Sequence, residues 1–262
     1  MSSRVPMHLV TSAARILDVY DLQEGDRIVT FLTPDYGKKR GVARGSRRKH
    51  SRFAGQLQLL AKVRITWFER EGSDLARISA AELLDSPAAV MNDLEGLLLA
   101  GYLAEHLTEF AQENEASERL CRLLEATLGA LAGGLDRNLV TRYFEVWVLR
   151  LAGIFPPPVE CPQCGVELQG EAALPEGGDA LLCLRCSEGE KQLLIAGPVL
   201  GFLQASARAS VREIARRPPA HAALSVIEDL CRRLRRRFLG KELKSYRVMR
   251  RSLAIAGGEI HS

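Results

Sequence analysis

Four cysteines carry the clearest chemistry in this chain. Cys161-x2-Cys164 and Cys183-x2-Cys186 are separated by 18 residues, the spacing at which two knuckles bring four thiolates to a tetrahedron about one zinc ion. A redox reading of the two CxxC motifs would need a βαβ context that the flanking residues do not supply. Four thiolates leave no open ligand position, so the expected zinc is structural. Gly165 and the polar insert LQGEAALPEGGDA suit a ribbon too small to hold a core without metal. Such a ribbon staples a loop projecting from the rest of the fold.

A second cluster is electrostatic. The stretch KKRGVARGSRRKHSR, residues 38–52, holds Lys38, Lys39, Arg40, Arg44, Arg47, Arg48, Lys49 and Arg52 and no acid. Solvated surfaces mix signs to limit self-repulsion, so an unbalanced run points to an anionic partner. Lys62 and Arg64, on the strand that follows, extend the set. Phosphate neutralisation by these ten side chains gives affinity without base preference. Few aromatics lie nearby. Tyr36 and Phe53 flank the run, and Phe31 and Trp67 read either as core or as a stacking platform, so contact should be to the backbone more than to bases.

Net charge is only +4, so the basic charge is sorted, not abundant. From Asp85 to Glu125 nine acids face Arg119 and Arg122 alone, whereas from Cys231 to Arg251 ten bases face only Glu242. Leu230, Leu234 and Phe238 recur there at intervals of four. This block reads as a charged helix topping a bundle, or as a basic groove with an apolar floor for an acidic peptide or more phosphate. Cys121 and Cys231, each beside leucines on a helix, read as inert packed thiols.

Signatures of catalysis are not found. His8, His50, His106, His221 and His261 show no ligand spacing, and Gly37-Lys38 and Gly240-Lys241 lack the rest of a Walker A sequence. No GxSxG or paired carboxylates stand out, so a binding protein is expected, not an enzyme. The N-terminus lacks a signal-peptide core and no run of about 18 apolar residues occurs, which predicts a soluble, cytoplasmic chain away from membranes.

The elements that must position these groups change character along the chain. Up to about residue 82 the pattern predicts five short strands: Ala14–Tyr20, Arg27–Thr33, Lys38–Gly45, Leu57–Trp67 and Leu75–Ser79. Turn residues at 23–26, 33–37 and 71–73 separate them. Five strands of this length suit a small closed barrel, of OB or SH3-like type. After Ser86-Pro87 the period becomes helical, with leucine stripes from Leu94, from Leu120 to Leu131, and from Leu139 to Leu151. Helices resume near Pro198, at the capping box Ser210-Val211-Arg212-Glu213, and from Pro219 to Gly240.

Taken together, the segments Ala14-Arg15-Ile16-Leu17, Glu24-Gly25-Asp26-Arg27-Ile28-Val29, Leu32-Thr33-Pro34-Asp35-Tyr36-Gly37, Ala43-Arg44-Gly45-Ser46-Arg47-Arg48 with Ser51-Arg52, the four-cysteine insert and Lys244-Ser245 resemble the bacterial RecO family of recombination mediators. The resemblance spans nearly the whole chain. It implies an α+β protein: an N-terminal five-stranded OB-fold barrel (1–82), then an α-helical domain (83–158 and 192–262) interrupted by a zinc module (159–191). It also implies binding of single- and double-stranded DNA, strand annealing, cooperation with RecR in loading RecA, and capture of the acidic, apolar-ended tail of single-strand-binding protein. The expected place for that tail is the last basic block, Arg232, Arg233, Arg236, Lys241, Lys244 and Arg247. A nucleoid-associated protein would follow. Two rival classes are an RNA- or ribosome-associated OB protein with a zinc ribbon, and a zinc enzyme.

Overall fold

The computed structural model describes residues 7–22, 25–70, 75–189 and 191–258. The turn expected at 71–73, half of that at 23–26, and His261 lie outside them. β1 (Met7–Asp21), β2 (Arg27–Thr33), β3 (Gly37–Ala43), β4 (Lys62–Arg70) and β5 (Ala76–Asp85) form a closed barrel in the order β1-β2-β3-β5-β4. β1 serves both neighbours. Its first part pairs with β4 and its last part with β2, and a register shift between Ile16 and Asp18 lets it bend between them. β3 and β5 run parallel from Gly41↔Ala76 to Ala43↔Ile78, the crossover that selects the Greek-key OB arrangement over the SH3-like alternative. A Cβ on Gly41 would lie 2.8 Å from Ile78 Cγ1, so glycine is what lets these strands meet.

β3 has β5 beside it only from Gly41 onward. Its earlier half is bordered by the segment after the first helix: Lys38 N donates to Gln112 O at 3.1 Å and Asn114 N to Lys38 O at 3.3 Å. Gly37, at φ +65°, admits that segment, because a Cβ there would sit 2.0 Å from Glu115 O.

Alternation along Ala61, Val63, Ile65 and Trp67 puts them inside with Ile16, Val29, Phe31, Ala43 and Ile78. Phe31 meets Trp67 edge-on at 5.3 Å. The fourth strand begins at Lys62, not Leu57. Leu60 adopts φ 57° and crosses the barrel end, its N–H bonded to Ile16 O at 2.8 Å and its carbonyl to the Arg15 guanidinium at 2.8 Å. β1 and β5 are longer than the expected strands. Ala80-Ala81-Glu82-Leu83-Leu84 has helix-forming composition, but pairing with β4 overrides it.

Ser86-Pro87 starts only a short 3-10 turn, Pro87–Ala89. The first helix, α1 (Leu94–Phe110), is capped instead by Asp93, which accepts from Gly96 N at 2.7 Å. α2 (Glu118–Ala132), α3 (Arg137–Leu151), α4 (Gly197–Ser206), α5 (Val211–Ile214), α6 (His221–Leu239) and α7 (Lys244–Gly258) follow, with the small sheet β6 (Ala172–Pro175) and β7 (Gln192–Ile195) between α3 and α4. The capping box at Ser210 and Glu213 forms as expected. No helix among the described residues is long and apolar enough to cross a membrane.

Two compact units emerge: the described residues of Met1–Leu124 with Leu243–Ser262, and Glu125–Glu242. This division differs from the expected boundaries at 82/83 and 191/192. α1 joins the barrel's unit, and α7 joins it too because Glu105 of α1 caps it, accepting from Lys244 N at 2.9 Å, from Ser245 N at 2.7 Å and from the Ser245 hydroxyl. Tyr102 and Tyr246 pack 5.9 Å apart across the same pair of helices. The metal module and α6 lie together in the second unit.

Candidate nucleic-acid interface and metal centre

Between β3 and β4 the chain runs through successive tight turns, closed by Ser46 N to Ala43 O, Arg48 N to Gly45 O and Ser51 N to Arg48 O. It is anchored on two sides. Underneath, Phe53 and Leu57 plug the barrel core, each burial worth roughly 1.5–3 kcal/mol. Alongside, the β1–β2 turn holds it: Asp26 Oδ1 accepts from Gly45 N at 2.6 Å, Gly25 O accepts from Arg47 N at 3.0 Å, and Asp21 lies 3.4 Å from Arg47 Nε. A loop fixed in this way presents Arg44, Arg48, Lys49 and Arg52 to solvent. None of these four is ion-paired to a carboxylate among the described residues; Arg52 lies over the Phe53 ring at 5.0 Å.

The other six expected contacts are not equivalent to these. Lys38 is largely buried; its Nζ donates to Thr108 O at 2.7 Å and lies 4.0 Å from Glu113. Lys39, 12% exposed, points along the barrel interior and meets Glu69 at 2.5 Å. Glu69 Oε1 also accepts from Trp67 Nε1 at 2.9 Å. Burial alone would raise the Glu69 pKa, but the bonds from Lys39 and Trp67 outweigh it and hold the carboxyl below its ordinary value. Arg64 pairs with Glu82 at 2.6 Å, Arg40 donates to the Tyr20 hydroxyl at 2.6 Å, and Lys62 is half-buried. The run lacks acids in sequence, yet Glu113, Glu69 and Asp21 reach it from elsewhere, as Glu82 reaches Arg64 on β4. The expectation of uniformly unbalanced charge is therefore corrected to one exposed cluster beside structural pairs. Phe31, Trp67 and Phe53 are core residues; Tyr20 is an exposed ring that accepts from Arg40, and Tyr36, also exposed, packs edge-on against Trp67 at the other end of β3.

The last basic block divides as well. Arg232, Arg233, Arg236 and Lys241 belong to the second unit, Lys244 and Arg247 to the first. Arg232 binds Glu242 at 2.7 Å, while Arg235, 1% exposed, binds Glu242 at 2.9 Å and lies 3.8 Å from Glu145. Arg142, also buried, joins Glu145 at 2.8 Å and Glu228 at 2.6 Å. Sequence reading missed this buried network, which ties α3 to α6; the signal was a charged residue on each helix's apolar face. Burial opposes ionisation of Glu242, but its bonds from Arg232 and Arg235 keep its pKa low.

Arg233, Arg236 and Arg237 stay exposed and line a hollow of about 530 Å³. Arg237 also borders a larger hollow of about 670 Å³ whose walls are mostly apolar, from Phe155-Pro156-Pro157, Leu181, Leu234 and Phe238. Leu234 and Phe238 were expected as an apolar floor; the walls contributed by 155–157 and Leu181 were not.

The four cysteine Sγ atoms all lie within 4.8 Å of one another, the one group among the described residues able to hold a metal ion. Backbone bonds shape the knuckles: Cys161 N to Val166 O and Gly165 N to Cys161 O at 2.8 Å, and Cys186 N to Cys183 O at 3.1 Å. Burial opposes ionisation of Cys161, but N–H groups of Cys183, Cys164 and Gln163 overcome it and bring the thiol down to about 6. Hydrogen bonding to Cys164 and Cys183 pushes Cys186 up to about 12. Four thiolates this close cannot all ionise unless a cation compensates them. A closed all-sulfur tetrahedron fits a soft or borderline ion. Cys231 is fully buried, which pushes its thiol well up, and Cys121 is half-buried.

Two family models match the chain, "Recombination protein O N terminal" over residues 7–87 and "Recombination protein O C terminal" over 91–247. Among relatives, the DNA repair protein RecO of Koribacter versatilis (strain Ellin345) is 34% identical over 175 residues, covering 67% of this chain and 71% of its own. That of Anaeromyxobacter dehalogenans (strain 2CP-C) is 30% identical over 245 residues, covering 93% and 96%. That of Geobacter sulfurreducens is 32% identical over 181 residues, covering 69% and 74%.

Proposed function

The chain belongs to the recombination protein O family of DNA repair proteins, and from that premise we propose that it binds single- and double-stranded DNA through the barrel and anneals complementary strands. The observation that carries this reading is the quartet Arg44, Arg48, Lys49 and Arg52, exposed on a loop anchored to the barrel and without a carboxylate partner among the described residues. Four cations on a fixed platform neutralise phosphates at little ordering cost. Two strands whose mutual repulsion is lowered meet more often, and base pairing then drives the reaction. No bond is made or broken by the protein.

The cysteine tetrahedron holds zinc with a structural role. The apolar hollow beside Arg237 accepts the tail of single-strand-binding protein, its apolar end inside and its acids toward Arg233 and Arg236. Displacing that protein, and with RecR promoting RecA loading, completes the mediator role. The decisive experiment is annealing of complementary strands coated with single-strand-binding protein, with and without this chain. Acceleration that disappears when the quartet is replaced by alanine supports the reading; acceleration indifferent to the quartet refutes it.

A further inference from the structure

We infer that the metal centre builds one wall of the 670 Å³ hollow and thereby governs capture of an acidic peptide ending in bulky apolar residues, a step that rests on the peptide reading above. The hollow has two sides of different origin. Phe155–Pro157 and the last turns of α6, with Leu234, Phe238 and Arg237, make one; Glu160, Pro162 and Asp179–Leu181 make the other. Glu160 and Pro162 flank the ligand Cys161, and Leu181 precedes the ligand Cys183 by two residues. The second side is therefore the backbone of the two knuckles.

What fixes that backbone decides the shape of the hollow. Strands β6 and β7 pair from Ala172↔Ile195 to Pro175↔Gln192, and Gln204 Nε2 bonds Pro158 O at 3.0 Å and Leu168 O at 3.2 Å. The strand pairing holds the module's far part without metal, and the Gln204 bonds hold the two ends of the first knuckle's loop at residues 158 and 168. Among the described residues, the hydrogen bonds between the two knuckles all run to cysteine sulfurs, as from Cys183 N–H to Cys161, since the bridge Ala173↔Leu182 reaches the second knuckle alone. A bound metal thus sets Pro162 opposite Leu181, and its loss releases one from the other. By reciprocity, peptide in the hollow must tighten the metal.

Charge assigns the peptide's direction. Glu160 and Asp179 make the knuckle side acidic, while Arg233, Arg236 and Arg237 make the α6 side basic. Apolar residues fill the hollow, and the acids preceding them lie over the arginines.

The test uses the full chain loaded with zinc and a fluorescein-labelled peptide of four aspartates followed by Leu-Leu-Phe. Chelation should weaken peptide binding on the order of tenfold or more, as expected for two coupled sites. Added zinc should restore it, while affinity for a DNA oligomer stays unchanged. Saturating peptide should slow zinc release to a chromophoric chelator. Because chelation could also unfold the second unit, Asp179→Arg serves as an independent variant: exposed and beside the hollow, it should tighten the peptide several-fold at unchanged zinc content. Metal-free protein that binds the peptide equally well overturns the linkage, and Asp179→Arg without tightening overturns the wall assignment. A loaded protein with no peptide affinity refutes the peptide reading itself and the inference with it.

Discussion

Replacing Arg44, Arg48, Lys49 and Arg52 together by alanine isolates the proposed interface, because none of the four supports the fold through an ion pair among the described residues. Each phosphate neutralised on a single strand contributes about 0.7 to the slope of log affinity against log salt. The quartet therefore accounts for a slope of about 2.8 in magnitude, and Arg40 with Arg47, if both are recruited, brings the whole to about 4. Over a fourfold rise in salt the quartet alone corresponds to a fall of about 50-fold in affinity. Fluorescence anisotropy of labelled oligomers of several sequences, titrated at a series of salt concentrations, reads this directly. The variant should retain a slope of about 1.4 from Arg40 and Arg47 and weaken on all sequences alike. An unchanged slope refutes the assignment, and a shift in base preference refutes backbone readout. Lys39→Met should do the opposite, lowering stability with little effect on the slope, because its ammonium is engaged with Glu69.

Asp26→Ala should weaken DNA binding several-fold even though it removes a negative charge near a polyanion, because Gly45 N loses its acceptor and the loop its side anchor; Asp26→Asn, which keeps an oxygen acceptor, should bind at least as tightly as the wild type, and anisotropy separates the two. Zinc removal should lower the melting temperature of the second unit, with recovery on adding the metal back, as followed by calorimetry. Glu69 has a folded pKa held below its ordinary value by Lys39 and Trp67, so its contribution to stability is complete above the unfolded value and is lost as pH falls through the folded one. Urea unfolding at pH 7 and at pH 3 should show a smaller loss in Glu69→Gln than in the wild type; equal losses would contradict the Lys39–Glu69 coupling.

What the sequence made legible was local. β2 falls on the expected residues, the CxxC spacing converges on one tetrahedron, and Ser210 with Glu213 forms the anticipated cap. Each of these depends on residues a few positions apart. What stayed hidden depends on distant pairs. Lys38 meets Glu113 and Lys39 meets Glu69, partners that no local charge count can supply. The grouping of α7 with α1 depends on Glu105 reaching Lys244 and Ser245, and Glu105 looked like one acid among nine. Likewise Arg235 read as part of a charged helix surface although it is a core residue, and it meets Arg142, also buried, through Glu145.

The border that residues 112–114 give to β3 bears on how such a molecule behaves among copies of itself. A sheet with bare backbone along one side invites another chain to zip onto it. Here the ring of strands closes, and the half of β3 that β5 leaves uncovered is matched by residues 112–114 of the same polypeptide. That stretch of β3 is thereby closed to pairing with a second copy of the chain.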